Sequence, residues 1–176
     1  MTWRWQGIQL KGAQVSTAPD FRVYERLEVT GFDDMENEIL LDLRFSESLG
    51  RYYIGQLTLK AFDESEEITG ARLREIPVLA LSRDSLDGGG VVEFSDGGIF
   101  DTQAVADAAS DIISGGPSSD EAMLATARVY RYAQIMQRSP AKAVQATLGL
   151  TAPTATLWIR RARAQGLLGN YGDADG

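Results

Sequence analysis

The spacing of apolar side chains changes along this chain, and this change most constrains the fold. Residues 3–62 alternate apolar and polar side chains in four runs that are separated by turn-rich links. Because successive side chains of a strand point to opposite faces of a sheet, this period predicts strands with one buried face. From residue 69 onward, apolar side chains recur at helical spacing. Strands followed by helices predict an α+β fold whose N-terminal part is an antiparallel sheet.

The expected first strand changes its phase part-way along. Trp3 and Trp5 alternate in one phase and Ile8 and Leu10 in the other, so we expect a β-bulge at Gly7. A short edge strand is expected at 91–94. The side chains expected to face the core are Phe21, Val23, Leu27 and Val29 in the second strand, Ile39, Leu41, Leu43 and Phe45 in the third, and Tyr53, Leu57, Leu59 and Ala61 in the fourth.

The chain is expected to form two domains. Short helices are predicted after Thr69 and from Pro77, and a single helix over residues 101–113. The sequence Gly-Gly-Pro-Ser-Ser has the composition of a linker. We therefore expect an acidic β-rich domain with short helices at 1–114, a linker at 115–119, a three-helix domain at 120–170 and a disordered tail at 171–176.

Two short helical patterns meet at a glycine in the last part of the chain. Ser139 and Pro140 are typical of the first positions of a helix, Gly149 allows a left-handed turn after it, and Thr151 is expected to cap the next helix. The second helix has an apolar stripe at helical spacing, formed by Ala155, Trp158, Ile159 and Ala162. With a long helix at 120–137 before them, these segments predict a helix-turn-helix domain of three helices.

Basic and acidic side chains are unevenly divided along the chain, whose net charge is −8. Residues 1–119 hold 10 basic and 21 acidic side chains, and residues 120–176 hold seven and four, so the two parts carry −11 and +3. No acidic residue lies between residues 122 and 172, where all seven of those basic residues lie. Since a phosphate responds to nearby charges, this asymmetry indicates that the basic part contacts nucleic acid.

The composition excludes several classes of function. The chain has no cysteine and no histidine, which removes disulfides, thiolate metal sites and the imidazole base of many enzymes. Acidic clusters at 33–38, 63–67 and 84–87 lack the spacing of a calcium loop and are interpreted as solvated turns. We expect no enzyme activity, metal or cofactor. Without a signal peptide or a membrane-spanning run, a cytoplasmic protein without membrane contact is expected.

Residues 125–168 contain a set of residues in a fixed register: Pro140, Ala143, Val144, Leu148, Gly149, Thr151, Trp158, Ile159, Arg160, Arg161, Ala162, Arg163, Gly166, Leu167 and Leu168. In this register they resemble the helix-turn-helix domains of actinobacterial and actinophage DNA-binding proteins. The sequence departs from the usual pattern at Gln145, Ala152 and Pro153. The resemblance implies binding to double-stranded DNA, as a transcriptional regulator or as a control protein of a phage or mobile element.

In this plan the helix at 152–165 enters the major groove and the preceding helix lies on the backbone. We expect Thr154 and Thr156 at base edges, Arg160 at guanine or phosphate, and the other basic side chains on phosphates. A homodimer that pairs through the N-terminal domain, or a protein partner of that acidic domain, is also expected. The full set of expected DNA-binding residues is Ser139, Lys142, Thr151, Pro153, Thr154, Thr156, Arg160, Arg161 and Arg163.

The alternative to DNA binding is a non-enzymatic protein-interaction or assembly module. In that case the helical domain docks on a partner protein, and its basic side chains are a solvated helical surface. A salt titration distinguishes the two functions. For DNA binding, each phosphate contact contributes about −0.9 to the slope of the logarithm of the binding constant against the logarithm of the salt concentration.

Overall fold

A computed structural model describes residues 3–18, 20–63, 67–87, 90–116 and 119–169. The fold is α+β, with an antiparallel sheet in the N-terminal part and helices in the C-terminal part, as predicted. The expected tail at 171–176 lies outside the described residues, as do residues 117–118 of the expected linker. The strands are β1 (Trp3–Ala18), β2 (Phe21–Asp33), β3 (Glu38–Ser46), β4 (Arg51–Lys60) and β5 (Val92–Phe94). The helices are α1 (Gly70–Arg74), α2 (Val78–Asp84), α3 (Thr102–Asp107), α4 (Ala109–Ser114), α5 (Asp120–Ile135), α6 (Pro140–Leu148) and α7 (Ala152–Ala164).

The sheet has the order β1-β2-β3-β4, and β5 pairs with the first residues of β2 as the expected edge strand. The expected bulge near Gly7 is confirmed, because the register of β1 against β2 shifts between Trp5 and Gly7. Trp5 then pairs with Gly31 and Ile8 with Val29, so both phases of β1 face the same side. Gly31 allows the Trp5 ring to lie against the backbone, since a Cβ there would be 2.7 Å from Trp5 Cε3.

The inward-facing sets predicted for β2 and β3 are confirmed, with Phe45 only half-buried. In β4, Leu57 and Leu59 are half-buried, but the predicted Ala61 is exposed and lies after Lys60, the last residue of the strand. The prediction is also wrong at the start of β4, where Tyr52 is buried and Tyr53 is 41% exposed. The reason is an irregularity in the β3–β4 pairing: Asp42 pairs with Gln56 and Leu43 with Ile54, which leaves Gly55 unpaired and shifts the phase. The Tyr52 hydroxyl donates a 2.7 Å hydrogen bond to the backbone oxygen of Tyr24, and burial raises the pKa of Tyr52.

The segment predicted as one helix at 101–113 forms two helices. Ala108 has φ −86° and ψ 0°, and it both ends α3 and begins α4. Within this segment Ile112 is buried, whereas Val105 and Ala109 are only half-buried and Ala108 is exposed. Apart from Ile112 the segment buries little apolar surface, so tertiary packing favours a single straight helix only weakly.

The acidic cluster at 33–38 is not simply a solvated turn, which corrects the sequence-based interpretation. Asp33 is 4% exposed, and its carboxylate accepts hydrogen bonds from Asn37, from the backbone amides of Met35 and Asn37, and from Arg72 of α1. Desolvation acts to raise the pKa of Asp33, but these hydrogen bonds outweigh it and the pKa lies below its usual value. Asp33 therefore attaches α1 to the β2–β3 turn.

The last three helices pack on one another, and the hydrophobic core continues from the sheet into them. α5 is capped by Ser119, whose hydroxyl accepts from the amide of Ala122, and it has both sheet and helix neighbours. The independence of residues 120–170 as a domain stays a prediction. Among the described residues, no helix is both long and apolar enough to cross a bilayer.

Candidate nucleic-acid interface

The turn between α6 and α7 is formed by local features that the sequence predicts. Gly149 ends α6 in the left-handed region with φ 62°, and the amide of Leu150 donates a 3.0 Å hydrogen bond to the backbone oxygen of Gln145. Thr151 caps α7, where its hydroxyl oxygen accepts from the amide of Thr154. Ser139 occupies the N-cap position of α6, but its side chain makes no capping hydrogen bond.

The predicted apolar stripe of α7 is buried against α5 and α6. Ala155, Trp158, Ile159 and Ala162 are all buried, and Trp158 is 2% exposed. Pro153, Thr156 and Arg160 are exposed on the side of the helix opposite this stripe. We call these three residues the outer face of α7. A partner that approaches α7 from solvent therefore meets the outer face first.

The arginines of α7 lie in three different environments. Arg160 is exposed, and its guanidinium has no hydrogen-bond or ion-pair partner among the residues that the structure describes. Arg163 is exposed on the flank next to α5, and its Nη2 donates to the Tyr130 hydroxyl at 3.4 Å. Arg161 is half-buried on the other flank of α7, which it shares with Thr154, seven residues or two turns before it. The three side chains thus diverge, as their spacing predicts.

The two threonines expected at base edges differ in position. The Thr156 hydroxyl donates a 2.9 Å hydrogen bond to the backbone oxygen of Ala152, which leaves its oxygen lone pairs and its methyl group on the outer face. The Thr154 side chain is half-buried, and its hydroxyl shares a 2.8 Å hydrogen bond with that of Thr151. Thr156 and Arg160 are therefore together on the outer face, whereas Thr154 and Thr151 form the start of the helix.

Three of the seven basic residues of the acid-free stretch are committed to contacts with the N-terminal part. Arg128 pairs with Asp20, Arg138 pairs with Asp87, and Arg131 is buried. The sequence alone does not distinguish these residues from the other four, because the members of the two ion pairs lie at least 51 residues apart in the chain. The basic residues left at or near the surface are Lys142, Arg160, Arg161 and Arg163.

Lys142 and Ser139 lie at the beginning of α6, and both are exposed. They are brought to the rim of a cleft of about 380 Å³ between α3, α5 and α6, which sequence patterns do not predict. Within the described ranges, no group of three or more acidic residues is placed to hold a metal ion.

No protein-family model, curated protein or solved structure matches this chain. The resemblance to helix-turn-helix proteins consequently rests on the residues quoted for it and on nothing beyond them.

Proposed function

We propose that this chain binds double-stranded DNA through a helix-turn-helix formed by α6 and α7, with the outer face of α7 in the major groove. The observation that carries the proposal is the outer face itself. Arg160 is exposed there beside Thr156, on the side opposite the buried stripe, and it has no ion-pair partner among the described residues. Within that part of the chain, Arg160 can therefore bind a guanine edge or a phosphate without first breaking an ion pair, and arginine suits both through two parallel hydrogen bonds.

The small side chains at the start of α7 favour close approach to base pairs. Ala152, Pro153 and Thr156 are exposed and short, and the N-terminal part of a recognition helix is the part that contacts base edges. The Thr156 methyl group is suited to contact with a thymine methyl group, and its oxygen can accept a hydrogen bond from a base amino group. Thr151 holds the helix start through its capping bond with Thr154, which orders the segment before DNA binds.

Four other side chains would contact the DNA backbone. Ser139 has a hydroxyl free of the capping bond, and Lys142 has no partner among the described side chains. Arg161 and Arg163 stand on opposite flanks of α7, where the phosphates on either side of the groove would lie. These contacts position the protein and add salt-dependent affinity without sequence information.

The acidic N-terminal part has two roles in this proposal. Its charge of −11 over residues 1–119 repels DNA and so limits contact to the helical part. It also provides the interface of a homodimer or binds a protein partner, which would place two recognition helices on half-sites about 34 Å apart. The protein would then act in the cytoplasm as a transcriptional regulator or as a control protein of a phage or mobile element.

Selection of bound sequences from a random pool of double-stranded DNA tests the proposal with the full chain. We expect a preferred site, and an affinity for it that falls steeply with salt, by about 0.9 log unit per log unit of salt for each phosphate contact. Light scattering with and without the selected DNA measures the molar mass of the protein and so tests the expected dimer. An Arg22→Ala variant, which removes an exposed charge of the sheet, is the control and should bind normally. If no DNA is retained at low salt, the proposal is wrong and the helical part is better explained as a protein-docking module.

A further inference from the structure

Two clefts flank α3, and they differ in the charge of their walls. The first, of about 380 Å³, lies between α3, α5 and α6. The second, of about 270 Å³, lies on the β5 side of α3 and has Asp101, Glu121 and Arg128 among its lining residues. Because side chains of both signs of charge line the second cleft, it favours neither an anionic nor a cationic ligand. Among the described residues that line the first cleft, none is acidic.

The first cleft, which we call the α6 cleft, has an apolar wall. Val129 and Ala133 of α5 and Ala143 of α6 line it, and the first two are buried. Its volume lies at the lower end of the range of ligand pockets, which is about 300–1,000 Å³. The α6 cleft is thus large enough for a ligand with one ring or a short branched chain.

The rim of the α6 cleft offers hydrogen-bond donors. Tyr132, Ser139 and Lys142 line it, and none of their polar side-chain atoms makes a hydrogen bond within the described ranges. The charges of Arg138, Asp87 and Asp101 act on the Tyr132 hydroxyl. Arg138 also lines it and is paired with Asp87, in an ion pair whose members are both about half exposed. Two hydroxyls, an ammonium and a guanidinium beside an apolar wall are complementary to a carboxylate on an apolar body.

We propose that the α6 cleft binds a small organic carboxylate, with its apolar part on Val129, Ala133 and Ala143 and its carboxylate at Lys142 and Ser139. Bound there, the ligand lowers the affinity for DNA. This second part rests on the proposed function, in which Ser139 and Lys142 contact phosphate: the same two donors cannot serve a ligand carboxylate and a DNA phosphate together. The cleft would then be an effector site that releases the protein from DNA.

Benzoate tests the first part, because it carries one carboxylate on one ring, and benzamide is its neutral analogue. Titration of the full-length, ¹⁵N-labelled protein should give saturable shift changes for benzoate at residues of the α6 cleft, and at least tenfold weaker binding of benzamide. Inorganic phosphate should also bind at least tenfold more weakly, because it has no apolar part. Equal affinities for benzoate and either of the other two, or shifts confined to other parts of the protein, would overturn the proposal.

Three variants locate the site without disturbing the core. Lys142→Met removes the rim charge and should weaken benzoate binding about tenfold, because the carboxylate loses a charge-assisted hydrogen bond. Ala146→Leu fills the cleft from an exposed position and should abolish binding. Lys60→Met removes a lysine of β4 that pairs with Glu38, and it should bind benzoate as the unmodified protein does. Unchanged binding in both α6 variants contradicts the site.

The coupling to DNA is measured separately. Saturating benzoate should lower the affinity for the selected DNA at constant ionic strength, and it should have no effect in Ala146→Leu. If benzoate binds the α6 cleft but DNA affinity is unchanged, the effector role is wrong. If the chain binds no DNA at all, the proposed function fails, and the benzoate titration still decides whether the cleft is a carboxylate site.

Discussion

Arg131 of α5 donates a 2.8 Å hydrogen bond from Nη2 to the backbone oxygen of Thr17, near the end of β1. The Arg131 side chain is fully buried, and its Nη1 donates a 2.7 Å hydrogen bond to Oε1 of Gln134. On the same helix Arg128 pairs with Asp20, and at the start of the next link Arg138 pairs with Asp87. α5 therefore contacts both the sheet and the two helices that follow it, α6 and α7.

Replacement of Arg131 by methionine should destabilise the whole chain. Methionine fills a similar volume but cannot donate to Thr17, so a buried carbonyl oxygen loses a partner, which costs about 1–3 kcal/mol. Urea denaturation of the full chain measures this difference. Arg22→Met, on the exposed face of β2, is the matched control and should change the unfolding free energy by less than about 0.5 kcal/mol. Equal effects of the two variants would show that the buried hydrogen bond is not stabilising.

The fragment 120–170 should fold and bind DNA by itself, although with a lower melting temperature than the full chain. It contains α5, α6 and α7, which pack on one another, and all the surface cations proposed to contact DNA. It lacks Thr17, Asp20 and Asp87, which hold α5 and the following link in the full chain. Circular dichroism measures the helix content and melting temperature of the fragment and of the full chain, and DNA titration measures the affinity of each. A fragment that binds no DNA, beside a full chain that does, would show that the division at 115–119 is wrong.

The sequence predicts correctly which side chains are buried where a local pattern determines it. The prediction fails where pairing with a residue distant in the chain determines the burial. The burial of Leu27 and Val29 follows from alternation, and that of Trp158 from helical spacing. Tyr52 and Tyr53 are exchanged because an unpaired Gly55 shifts the phase, and alternation alone does not show where such a shift occurs.

In the candidate site, too, the sequence predicts local features but not contacts between residues that are distant in the chain. The left-handed Gly149 and the cap at Thr151 are predicted from two or three neighbouring residues. The pairing of Arg128 with Asp20 and of Arg138 with Asp87 is not predictable, because these aspartates approach the arginines only in the folded chain. The α6 cleft is equally invisible in the sequence, since its walls come from three helices.

Truncation of Trp158 to alanine should unfold much of the helical part. Trp158 is 2% exposed at the centre of the buried stripe of α7, and removal of such an aromatic side chain from a core costs about 3–5 kcal/mol. This is a large share of the total stability of a small domain, about 5–15 kcal/mol. Thermal melts followed by circular dichroism measure the loss. Leu157→Ala, at the half-buried neighbouring position, should have a smaller effect, and an unchanged melting temperature for Trp158→Ala would place that ring at the surface.

Acidification should weaken the fold through Asp33. Its pKa is lower in the folded than in the unfolded chain, so the folded state binds the proton less well. The stabilisation is therefore present above the unfolded pKa of about 3.9 and is lost as the pH falls through the lower, folded value. Urea denaturation between pH 7 and pH 2 should show a smaller acid-dependent loss in Asp33→Asn, from a lower starting stability. Glu47→Gln, at an exposed position, is the control, and the same acid dependence in both variants would contradict the role of Asp33.

The three arginines of α7 should contribute to DNA binding in different ways. Arg160 is on the outer face, four residues after Thr156 and therefore one turn further along the groove. Arg160→Ala should lower affinity for the selected site by about 1–3 kcal/mol and have less effect on a scrambled site, as expected for a contact to a base. Arg161→Ala and Arg163→Ala should weaken binding to both sites alike, because phosphates are present in every sequence.

Salt dependence separates these roles from a general loss of positive charge. Loss of a phosphate contact should reduce the slope of log affinity against log salt by about one, so Arg161→Ala and Arg163→Ala should each show this change on both DNA sites. Arg160→Ala should instead change the ratio of affinities for the selected and scrambled sites. Arg22→Ala again controls for total charge. If all three α7 variants retain the affinity, the site preference and the salt slope of the unmodified chain, their arginines form only a solvated surface, and α7 is not the helix that enters the groove.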